Sequence, residues 1–217
     1  MWQRDALSAL RAISAGQAGL VTAAQAGAVG LDGAQRARLV RAGLLEAVDR
    51  GVYWLTADTL PRHLEIRIAW LRLDPATTAG ERDGLGANDG VVSHRSACVV
   101  HELGDIPAPV VELTVPRRRG VAMPYLRLRV RSGLSAHEVT VVDGLPVTTV
   151  ARTVIDLMRD SADGGHVGGV IADAERRGLI DLEQLAPAAA RLAARYAMPG
   201  SDGLDLLDAL VAQSVPT

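Results

Sequence analysis

Glycines cut the first sixty residues into pieces too short to be stable alone, and the order of those pieces narrows the fold sharply. Leu7, Leu10 and Ile13 recur at three-residue spacing around Arg11, which marks one apolar stripe on a first helix ended by Gly16 and Gly19. Thr22 stands before Ala23-Ala24-Gln25-Ala26 as the N-cap of a short second helix, closed by Gly27 and Gly30. Asp32 opens a third helix that runs to about Ala42 and stops at Gly43. Leu45-Glu46-Ala47-Val48 and Val52-Tyr53-Trp54-Leu55 are β-prone runs around Asp49-Arg50-Gly51, the signal of a hairpin.

Three short helices followed directly by a hairpin is the order of a winged helix-turn-helix, expected over residues 1–58. At about 100° per residue, Ala37, Val40 and Leu44 of the third helix fall together, while Gln35, Arg38 and Arg41 share the opposite arc. The first set is expected to pack and the second to reach out. Gln and Arg carry the paired donors and acceptors that match adenine and guanine edges in the major groove. Gln35, Arg38 and Arg41 are therefore candidate DNA contacts. Arg36, on neither face cleanly, joins them, with Thr22 and Gln25 of the second helix and Arg50 at the hairpin tip. Any one of these arginines alone reads more readily as a solvated helix face than as a DNA contact; the order, the polarity and the wing together favour DNA.

All 23 basic residues are arginine, with no lysine anywhere, against 25 carboxylates. Phosphate loops, Schiff-base enzymes and lysine-bearing nuclease or kinase sites therefore lose their central residue. The depletion itself reads as coding bias and says nothing of nucleic acid. Charge is unevenly spread: residues 1–131 hold 17 arginines to 13 carboxylates, and residues 132–217 hold 6 to 12. The front can face phosphate while the tail repels it. Cys98 is the only cysteine, which excludes an intrachain disulfide and fits a reducing cytoplasm. The uncharged stretch 15–31 is too short and too interrupted by Gln17, Thr22 and Gln25 to span a bilayer, so no membrane anchor is expected.

Residues 62–217 read as a mixed α/β domain ending in helices, giving an α+β chain of two domains. A helix is expected over 62–73 with Pro61 at its first position, then a mobile loop over 74–90. Ser93 is placed as the cap of a helix over 94–103. Strands follow at 111–115 and 126–131, paired as a hairpin. In the second strand Leu126, Leu128 and Val130 face in, and Arg127, Arg129 and Arg131 share the outer face. With Arg117, Arg118 and Arg119 in the connection, six arginines gather there. They read either as a solvated sheet face or as a second nucleic-acid contact. Thr149 can cap a following helix in which Arg152 and Asp156 stand four apart, as an ion pair would. Further helices are expected near 166–177, 181–195 and 202–213.

Several stretches carry a family likeness. Residues 19–26, 38–45 and 50–53, then Val92-Ser93-His94-Arg95-Ser96-Ala97, Glu112-Leu113-Thr114-Val115-Pro116 and residues 144–157 together resemble the AbiEi antitoxins. Those are repressor-antitoxins of bacterial type IV toxin–antitoxin, or abortive infection, operons. The resemblance implies a transcriptional repressor that binds double-stranded operator DNA and opposes a nucleotidyltransferase-like toxin, by contact or without it. It implies no catalytic residue and no cofactor.

Enzyme chemistry finds little support in the residues. His94 and Cys98 with His101 give a weak zinc spacing that does not close a site, and no metal is expected. Ser93, His94 and Asp105 lack the context of a hydrolase elbow. A rival reading, a similar front half fused to a nuclease-like domain, would need a lysine that this chain lacks. Another is an antitoxin acting by direct toxin binding alone.

Overall fold

The structure is a computed structural model that describes residues 2–121, 123–131, 133–160 and 162–214. The chain is mixed α+β. The N-terminal unit runs α1 (Trp2–Ala15), β1 (Leu20–Thr22), α2 (Ala23–Ala28), α3 (Gly33–Arg41), β2 (Leu45–Asp49) and β3 (Val52–Leu55). Its three strands form an antiparallel sheet in the order β1-β3-β2. Leu10, Val21, Ala26, Leu31, Leu45 and Leu55 make its small core. Gly51, at φ 74°, turns the hairpin where a side chain would be strained.

The second sheet follows α4 (Leu64–Leu73) and is built from β4 (Val91–Val92), β5 (Val111–Val115), β6 (Leu126–Val130), β7 (Val139–Val142) and β8 (Leu145–Thr148). Helix α5 (His94–His101) lies between β4 and β5 in the chain. The strand order is β6-β5-β4-β8-β7. One face is apolar: Val111, Leu113 and Val115 share a core with Ile66, Ile68 and Trp70 of α4. The other face, toward α5 and α6 (Val150–Arg159), is polar, with Glu112, Thr114 and Thr148 buried there. Helices α7 (Gly164–Arg176), α8 (Leu182–Ala190) and α9 (Gly203–Gln213) close around a separate apolar core with Val154, Leu157 and Met158 of α6.

Several expectations need correction. Strands β5 and β6 are parallel, so they are not a hairpin. Alternation in 126–131 reports which face a residue takes, not the direction in which the strand runs. Direction is set by the connection, which Arg117 and Arg119 tie to Ala87, Asn88 and the last carbonyl of α4. The fourth helix starts at Leu64 and not at Pro61, because His63 adopts φ 55° and interrupts it. Ser93 sits at the N-cap of α5 without capping it; its hydroxyl is engaged by Thr114. The loop over 74–90 is pinned: Arg82 meets Asp89 at 2.6 Å with both side chains buried, and stacks 3.7 Å over the Trp70 ring.

The two parts of the chain meet across a seam. Leu20 and Val52 enter the core of α4 and the second sheet. Asp49 holds Arg72 at 3.1 Å and accepts the Tyr125 hydroxyl. Burial raises the Asp49 carboxyl, but Tyr125, the Arg50 amide and Arg72 outweigh it and leave it below its ordinary value.

Glycine sets how closely the last helices approach. A Cβ at Gly168 would lie 1.9 Å from the carbonyl oxygen of Leu210 in α9, whereas one at Gly169 would meet nothing within 4 Å. Gly168→Ala is expected to lower stability by about 1–3 kcal/mol through overpacking. Gly169→Ala should raise it by up to about 1 kcal/mol through helix propensity. Urea unfolding of both variants checks the pair, and the same sign for both would refute this packing.

Candidate nucleic-acid interface

Helix α3 is held by a reciprocal cap: Asp32 accepts from the Gln35 amide at 2.8 Å, and Gln35 Oε1 accepts from the Asp32 amide at 2.7 Å. Its inner side carries Leu39 and Val40, packed on the N-terminal core. Arg36 also turns back, donating to the Leu31 carbonyl at 2.6 Å and so satisfying the chain just after α2. The outer side carries Ala34, Ala37, Arg38 and Arg41, all exposed.

The packing face is thus turned from the expected one. Ala37 is outside, and Leu44 is 44% exposed because the helix ends before it, so four-residue spacing from Val40 no longer applies. Leu45 takes the buried position instead, as the first residue of β2. Gln35 is half-buried and spends its carbonyl oxygen on the cap, which weakens it as a base contact.

Thr22 and Gln25 are not on the surface at all; they are 0% and 1% exposed. Thr22 and Gln25 form the cap of α2, and the Gln25 amide pairs reciprocally with Gln17 at 2.9 and 3.0 Å. Gln25 also donates to the Thr77 carbonyl at 3.0 Å, and Thr22 to that of Pro75. Both therefore join the N-terminal unit to the loop after α4. The Thr-x-x-Gln spacing is itself the sequence sign of a capping box, and it pointed to structure.

Arg38, Arg41 and Arg50 remain. All three are exposed, two on the outer side of α3 and one at the β2–β3 tip, and none of their guanidinium groups has an ion pair or hydrogen bond among the described residues. Arginines with solvated heads, offered from a helix and a hairpin tip, can take phosphate oxygens or guanine edges.

The second group of arginines is broken up by its partners. Arg117 and Arg119 are spent on the 87–88 turn, and Arg119 also on Leu73. Arg129 faces inward to Glu112 at 2.7 Å and Asp160 at 2.5 Å. Arg118 and Arg127 are exposed and Arg131 half-buried. Val130, expected inward, is 48% exposed at the end of an edge strand. A continuous six-arginine surface is therefore absent.

Among the described residues no group of three or more His, Cys, Asp or Glu is placed to hold a metal ion. His101 Nε2 lies on the Thr148 carbonyl at 2.8 Å, and burial pushes the Cys98 thiol up to about 12. No described helix is long and apolar enough to cross a membrane.

No family model and no curated protein matches the chain. Among solved structures it is similar to the RV2827C protein from Mycobacterium tuberculosis, with a TM-score of 0.50 at 16% identity, over 96% of this chain and 82% of that one. The likeness is one of fold.

Proposed function

We propose that the chain is a sequence-specific DNA-binding transcriptional repressor, with α1–α3 and the β2–β3 hairpin as a winged helix-turn-helix and α3 as the element that enters the major groove. The observation that carries the reading is the pair Arg38 and Arg41: exposed, unpaired, and adjacent on the outer side of a capped helix. Leu39, Val40 and Arg36 of that helix turn inward, and Arg38 and Arg41 do not. The positive charge excess of residues 1–131 supports approach to a polyanion. With the likeness to AbiEi antitoxins, the reading extends to an antitoxin that represses its own type IV operon and opposes a nucleotidyltransferase-like toxin in the bacterial cytoplasm. The domain of residues 62–217 is the part assigned to that second duty.

Arg50 is assigned a phosphate and not a base. Arg50→Ser is therefore expected to reduce the slope of log affinity against log salt by about 0.9 while operator preference is kept. Mobility shifts of operator and scrambled duplexes across a salt series test this. An unchanged slope removes the hairpin tip from the interface.

A further inference from the structure

A cavity of about 160 Å³ opens where β5 and β6 meet the start of α5 and the end of α6. Its carboxylates are all committed. Glu112, 2% exposed, takes Arg129 at 2.7 Å on one oxygen and the backbone amide of Arg95 at 3.1 Å on the other. Asp160 holds the same Arg129 guanidinium, and Asp163 caps the first turn of α7. Several of its donors are not committed. His94 is 1% exposed and its Nε2 has no hydrogen-bond partner; Asp160, 3.8 Å away, is out of reach. The Nε–H of Arg129 is also buried without a partner. The Arg127 guanidinium, half exposed, comes only within 3.6 Å of Glu112.

What His94 offers the cavity follows from the hydrogen bonds behind it. Thr114 donates to the Ser93 hydroxyl at 2.9 Å, which leaves the Ser93 hydrogen for His94 Nδ1, also at 2.9 Å. That chain assigns the hydrogen of the neutral ring to Nε2. The residue is held in place at φ 54°, a conformation that a non-glycine residue seldom adopts without cause. Buried N–H groups left unpaired are costly, and here two of them line one small space with two further cations, Arg95 and Arg127.

We propose that this cavity binds a phosphate-class oxyanion through the Nε2–H of His94, the Nε–H of Arg129 and the Arg127 guanidinium. The volume, roughly that of five waters, has room for one phosphoryl group. Arg129 pairs with both Glu112 and Asp160, and with Arg95 and Arg127 the lining sets three cations against its three carboxylates, so none of them repels the guest at full strength.

Calorimetric titration of the full-length protein with inorganic phosphate, followed in parallel by nitrogen-edited NMR of the histidine rings, tests the site. The expected result is saturable binding with a shift of the His94 Nε2 resonance, and a loss of about tenfold in affinity for Arg127→Gln. His94→Asn should lose at least as much, since asparagine tolerates the left-handed backbone but cannot supply the Nε2 hydrogen. Arg127 is exposed, so its variant keeps the test valid if His94→Asn does not fold. A mononucleotide 5′-phosphate and a 5′-phosphorylated oligonucleotide, each against its dephosphorylated form, show whether a small molecule or a nucleic-acid end carries the phosphoryl group. No saturable phosphate binding, or wild-type affinity in Arg127→Gln, overturns the proposal.

Discussion

Asp156→Ala is expected to destabilise the protein by about 3–5 kcal/mol, because it removes one partner from a buried ion pair and leaves the other behind. Asp156 is fully buried and takes Arg152 Nε at 2.8 Å, four residues earlier on α6, and Arg159 at 3.3 Å. Arg152 is itself buried and reaches on to Glu138 at 2.7 Å, tying α6 to the turn before β7. Burial lowers the tendency of Arg152 to hold its proton, but hydrogen bonds and charge from Asp156 and Glu138 outweigh it and raise its pKa. Guanidinium cannot escape by losing a proton, so the variant must bury an under-paired cation or open the helix. Replacing Arg152 and Asp156 together with methionine and leucine should recover part of the loss, since the charges that lose a partner, Glu138 and Arg159, both reach solvent. Urea midpoints of the three proteins, with slopes compared, measure this. A single-variant loss below about 1 kcal/mol would contradict the assignment of this pair as a structural centre.

The Arg38→Ala, Arg41→Ala double variant is expected to lose about 2–6 kcal/mol of operator affinity, from about 1–3 kcal/mol for each base contact if the two add. Both side chains are exposed and without partners, so the thermal midpoint should stay within the range of ordinary surface changes. Affinity for scrambled duplex should fall much less than affinity for operator, because base contacts specify and phosphate contacts position. On the proposed antitoxin reading, the same full-length variant in cells should release a promoter reporter yet still protect against a co-expressed nucleotidyltransferase-like toxin. Loss of both activities together would tie antitoxicity to DNA binding. Arg36→Ala offers the opposite pattern, with stability falling because the Leu31 carbonyl loses its donor.

What was legible in the sequence was local. Thr149 accepts from the Arg152 amide at 3.4 Å, and the Arg152–Asp156 pair forms at the expected spacing, because both depend only on residues one turn apart. Helix ends at glycine and the hairpin about Gly51 followed for the same reason. Tertiary partners were not legible. The loop containing Arg82 and Asp89 reads as solvated charge until the two meet beneath Trp70, and the direction of β6 depends on where Arg119 anchors its connection. The candidate interface was half visible: Arg38, Arg41 and Arg50 stand outside, whereas Thr22, Gln25, Gln35 and Arg36 are donors and acceptors for backbone groups. Residue type matched DNA recognition in all seven candidates, and capping or burial sets Thr22, Gln25, Gln35 and Arg36 apart from the other three.

Specific recognition of DNA by α3 is the claim on which the rest depends, and direct comparison of two duplexes tests it. One duplex carries the promoter upstream of the protein's own gene; the other has the same length and composition in scrambled order. At a single physiological salt concentration the account predicts that full-length protein binds the promoter at least about a thousandfold more tightly than the scrambled duplex. Equal affinities for the two duplexes would contradict it.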